Sequence, residues 1–123
     1  MKADEGQTTV ELALGLPIVF LLVAALVEVA AIAVDNTRLW HAAREAARVA
    51  VVDNDPEQIQ EAAAKAAPEP FDIEVNPKPA VRRQGDPLTV RLRHSPTGHV
   101  PFLGVLFREL ELSATATMRI EQP

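Results

Sequence analysis

Apolar and polar positions fall into three regimes along the chain. From Leu12 to Val34 the residues are almost all apolar, with Glu28 the single charge over about 23 positions. From Asp35 to Val52 a helical period takes over: Leu39, Ala43, Ala46 and Ala50 share one face, and His41, Arg44, Glu45 and Arg48 share another. Beyond Pro68 the period becomes two. Phe71, Ile73 and Val75 alternate with Asp72 and Glu74, and Leu88, Val90 and Leu92 alternate with Thr89, Arg91 and Arg93. In the last such stretch, Glu109 to Glu121, Leu110, Leu112, Ala114, Ala116, Met118 and Ile120 share a face.

These patterns predict an α+β fold. No breaker separates the first two regimes, so one helix is expected from about Gln7 to Val52, roughly 65 to 70 Å long at 1.5 Å per residue. Asp55 as N-cap, Pro56 at the first helical position and Gln58 at the third, a variant capping box, predict a second helix over Pro56 to Ala67. Its inner side is Ile59, Ala62, Ala63 and Ala66. Three strands follow, within Phe71–Val75, Leu88–Arg93 and Glu109–Glu121, with a turn at Gln84 to Pro87 between the first two. They should form an antiparallel sheet with one buried face, covered by the small-residue stripes of the two helices. The apolar stretch Val100 to Phe107 reads first as a loop closing one end of the core. A second reading makes it a lip that touches a membrane surface or a neighbouring subunit.

The first regime is long enough to cross a hydrocarbon core, which takes roughly 20 helical residues. A core helix is the competing reading, but a domain this small could not surround a helix apolar on every side. A cleaved secretory signal fits worse, because the run is too long for such a segment and no Ala-x-Ala site stands cleanly at its end. Pro17 inside the run removes one backbone hydrogen bond, so a local bend is expected there.

Composition narrows the function. With 123 residues there is room for one small domain beyond the membrane segment, and a formal charge of -5 offers no dense basic face for nucleic acid. The absence of cysteine rules out disulfides, thiolate metal sites and cysteine nucleophiles. His41, His94 and His99 lack the acidic neighbours that would complete a metal set and read as exposed or structural. No phosphate loop, nucleophile elbow or helix-borne metal motif is present, so neither catalysis nor a cofactor is expected. The acidic residues near the bilayer are more telling. Glu28 lies near the far end of the apolar run, where it would reach interfacial water or pair within a helical bundle. Glu11 sits in the first turns of a helix, where the dipole favours negative charge; a cut between Gly6 and Gln7 would add an ammonium one turn before it.

Gly-Gln-Thr-Thr-Val-Glu-Leu-Ala-Leu-Gly-Leu-Pro from Gly6, Val-Glu-Val at Val27 to Val29 and Ala-Ala-Arg-Glu-Ala-Ala-Arg at Ala42 to Arg48 resemble the TadE-like pseudopilins of tight-adherence (Flp) type IV pilus systems. The tail Leu112 to Glu121 also looks like the end of those proteins. The sequence departs from the related motif at Leu12, where an aromatic residue is common, and its leader carries Asp4 and Glu5 beside Lys2. The resemblance implies a leader, residues 1–6, removed by a prepilin peptidase, a transmembrane helix over 7–34 and an extracytoplasmic pilin-like head over 35–123. Gly6 and Gln7 would be the processing site and Glu11 the assembly residue. Implied partners are other minor pilins, the major pilin and an inner-membrane assembly platform. The protein would lie in the bacterial cytoplasmic membrane with its amino end cytoplasmic, although Arg38, Arg44 and Arg48 alone would favour the opposite orientation. Read from the residues without the resemblance, a permanently anchored, uncleaved extracytoplasmic binding or adhesion domain is the alternative.

Overall fold

In a computed structural model, residues 2–99 and 102–121 are described. Helix α1, Lys2–Ala50, runs unbroken for 49 residues and continues through Pro17. It begins five residues before the expected start at Gln7. Asp4 and Glu5 occupy its first turn, where negative charge is favoured, and the hydroxyls of Thr8 and Thr9 donate to the carbonyls of Asp4 and Glu5, each at 2.9 Å. Met1, the first residue of the expected leader, lies outside the described residues.

At its carboxyl end α1 tightens into a turn, with the Val52 and Asp53 amides both donating to the Val49 carbonyl. Asp55 then caps α2, Pro56–Ala64, its carboxylate accepting from the Glu57 amide at 3.0 Å. The return bond expected from Gln58 is made differently: the Asp53 carboxylate accepts from the Asp55 amide at 2.9 Å. The helix is three residues shorter than the expected span to Ala67. Its last turn narrows as the Ala66 and Ala67 amides converge on the Ala63 carbonyl, immediately before Pro68.

Strands β1, Phe71–Asn76, β2, Pro87–His94, and β3, Leu112–Arg119, form one antiparallel sheet in the order β1-β2-β3. Ile73 faces Leu92, and Leu92 faces Ala114, so the apolar sets of all three strands line one face. On the wet face Thr89 and Thr117 pair through their hydroxyls at 3.1 Å, and Arg93 meets Glu74 at 3.2 Å. A short 3₁₀ turn, Pro79–Val81, and the turn at Gly85 link β1 to β2; Gly85 has φ 89°, a conformation that favours glycine.

The second half of α1 covers the sheet. Leu39, Ala42, Ala43, Ala46, Ala47 and Ala50 are buried against Leu88, Val90 and Leu92 of β2 and Ala114 and Ala116 of β3. Small side chains on the helix let its backbone lie close to the larger residues of the sheet. Ile59 and Ala63 of α2 close the core from one side. Arg82 ties the end of α1 to this assembly: its guanidinium donates to the carbonyls of Pro77 and Ala50 and to the Asn54 side chain at 3.0, 3.4 and 2.8 Å. Burial pushes that guanidinium down from its ordinary value, while the oxygens around it satisfy its donors.

Two expectations for the sheet side need correction. Leu110 does not share the buried face: β3 begins at Leu112, and Leu110 is exposed in the preceding turn, its amide donating to the Phe107 carbonyl. The segment leading to it does not close the core either. Val100 and Pro101 lie outside the described residues, but Phe102 is 84% and Leu106 76% exposed.

Candidate functional site

The first half of α1 has no counterpart packed around it. Leu14, Ile18, Phe20, Leu22, Leu26 and Val29 are all exposed, and only 6% of the most apolar 18-residue window is buried. That excludes the core-helix reading, since a core helix would be covered by the protein it belongs to. The helix is long and apolar enough to cross a membrane. Asp35 marks the change from this segment to the covered half, facing His94 of β2 across 3.7 Å. His94 is itself buried, and its Nδ1 donates to the Pro70 carbonyl at 2.7 Å, a structural role.

Gly6, Gln7 and Glu11 all lie on the exposed amino-terminal turns of α1. Open space surrounds Gly6 for 4 Å where a Cβ would stand. Helical spacing puts Glu11 one turn after Gln7, so a charge at residue 7 would stand beside the carboxylate. Gly15, Ala24, Ala25 and Ala31 are half-buried among longer neighbours, and Ala13 and Ala30 are exposed, so backbone-deep notches punctuate the apolar surface. Notches of this kind allow close helix-to-helix approach in lipid.

Glu28 behaves differently from the expectation that it reaches interfacial water. It is 1% exposed, and both carboxylate oxygens accept from the backbone amide of His99 at 3.0 Å. The His99 ring also stands near, with Nδ1 4.0 Å from Oε1. Gly98 makes this approach possible: a Cβ there would fall onto the Cα of Gly104 and lie 3.3 Å from Glu28 Oε1. Sequence reasoning missed the pairing because it joins residues 71 positions apart. The available signal was the lone carboxylate inside an apolar run, a group that demands a partner.

Shallow hollows of about 390 Å³ beside Asn36, Thr37, Trp40, His41 and Arg44 and of about 290 Å³ beside Ala33, Val34, Thr37 and Arg38 lie along α1, and two smaller ones lie in the head. One of about 110 Å³ lies between Pro70, Phe71, Arg93, His94 and Glu111, and another of about 160 Å³ between Pro56, Ile59, Ile73, Val75 and Arg82. Among the described residues no group of three or more His, Asp and Glu side chains is placed to hold a metal ion.

Comparison with known proteins agrees with the helix. Residues 6–48 match the family model described as TadE-like protein, a span that opens at Gly6 and ends two residues short of the end of α1. The tail from Leu112 lies outside that match. No curated protein and no solved structure matches the chain. Over residues 6–48, and so over its long apolar helix, the chain is similar to the TadE-like proteins.

Proposed function

We propose that this chain is a minor pilin of a tight-adherence type IV pilus, a non-enzymatic subunit that acts through assembly. The observation that carries this reading is the uncovered apolar half of α1, fused without a break to a packed head and lying within the TadE-like match. Residues 7–34 would anchor the chain in the cytoplasmic membrane and residues 35–123 would form the head on the far side. A prepilin peptidase would cut between Gly6 and Gln7. The new ammonium would then neutralise Glu11 on the same chain or on a neighbour, which a carboxylate near low dielectric requires. Other minor pilins, the major pilin and an inner-membrane platform would be the partners, with helices packing along the small-residue notches.

The alternative, an anchored binding domain that is never cut, draws on one feature: the Gly6–Gln7 bond lies inside a regular helical turn. A peptidase needs extended backbone, so cutting requires the first turns to fray, as helix ends do. Mass spectrometry of the membrane-extracted protein separates the two. The proposal expects a chain beginning at Gln7 in cells that make the peptidase and at Met1 in cells that lack it. A chain beginning at Met1 in both would overturn it.

A further inference from the structure

We infer that Phe102, Val105 and Leu106 form a membrane-dipping tip, seated in the leaflet on the head's side of the bilayer that α1 crosses. The inference rests on the reading of α1 as a membrane span. Two contacts fix the path of the chain that carries the tip. His94, at the end of β2, faces Asp35, and five residues later the His99 amide binds Glu28. Asp35 and Glu28 are two helical turns apart, about 10 Å along the axis. The chain therefore leaves the sheet and runs back along α1, away from the core and toward the apolar segment.

Depth follows from the same residues. Glu28 lies about 9 Å inside the end of the apolar run at Val34. Gly104 is packed on Gly98 beside the Glu28 carboxylate, which holds the residues flanking Gly104 at that level. There Phe102 is 84%, Val105 59% and Leu106 76% exposed, on no protein surface of their own. Backbone groups in the tip are partly used internally, with the Leu106 amide donating to Leu103 and the Leu110 amide to Phe107, each at 3.0 Å. A segment in lipid must satisfy its backbone internally, so these turns set how far the tip enters, and groups left open keep their residues at the headgroup boundary. The arrangement also accounts for Glu28, whose carboxylate receives its donor from the loop at a depth where water is scarce.

Lipid is the occupant favoured over a neighbouring pilin because of where the tip sits. It shares a level with the lipid-facing run of α1, and a single anchored chain meets the bilayer before it meets any partner. Charge does not contribute, since Arg108 at the neck is followed directly by Glu109.

The chain has no cysteine, so single labels can be placed at will. The test uses the full chain in phosphatidylcholine–phosphatidylglycerol vesicles, with an environment-sensitive fluorophore on Phe102→Cys or Leu106→Cys. Phe20→Cys in the apolar run and Arg83→Cys at the far end of the head serve as controls. Labels at 102 and 106 should shift to the blue and lose most of their emission to lipid-borne spin labels, as the label at 20 does, while the label at 83 stays wet. Quenching at 20 but not at 102 or 106 would overturn the tip and leave the anchor standing. Failure at 20 as well would remove both. Shielding of 102 and 106 from a water-soluble quencher without lipid quenching, growing with protein density, would assign the tip to a neighbouring chain and overturn the proposal.

Discussion

A carboxylate set among apolar residues must find donors, and Glu28 takes one from a residue far along the chain. The bifurcated bond from the His99 amide, with Gly98 stripped of any Cβ at the crossing, joins the loop to the helix. A hydrogen bond to a charged acceptor contributes about 1.5 to 3 kcal/mol. Glu28→Leu should therefore release the loop, and hydrogen exchange in detergent should show the His99 amide opening roughly ten- to a hundredfold more often. Unchanged protection would mean that other contacts hold the loop. Arg82 plays a comparable part at the opposite end of α1, where it satisfies the Ala50 carbonyl that the end of the helix leaves open.

The elements divide α1 by what covers it. Its second half is a strip of alanines under the sheet, where Ala46 is fully buried and a larger side chain has no room. Ala46→Leu should destabilise the head by about 1 to 3 kcal/mol through overpacking, read as a lower midpoint of thermal unfolding in detergent, while membrane extraction stays normal. An unshifted midpoint would show that the helix–sheet contact is looser than described. Most of this layout was legible in the chain, because periods of 3.6 and 2 each say which side chains share a face. Leu39, Ala43, Ala46 and Ala50 share one face by their spacing and are buried together. Misreadings came where local pattern and long-range contact diverge. Alternation continued through Leu110 although β3 starts at Leu112, and alanines continued past Ala64 although the helix narrows there. The apolar run from Val100 suggested a core plug, but hydrophobicity alone does not say whether protein or lipid covers a residue.

For the whole molecule, a packed α+β head sits on a helix whose first half is uncovered by the chain itself. Gly6, Gln7 and Glu11 were nameable from the sequence as a pattern, and the structure puts them on one exposed helical end. What they do depends on other molecules, which no intrachain contact encodes. The central claim is that this surface packs against other pilin helices during assembly. Its most direct measurement is photo-crosslinking in piliated cells from single positions between Glu11 and Ala25, with mass spectrometry of the trapped polypeptide. The account predicts adducts with another pilin of the system, lost when Glu11→Ala is combined with the crosslinker. Adducts to lipid alone at every position, unaffected by Glu11→Ala, would contradict it.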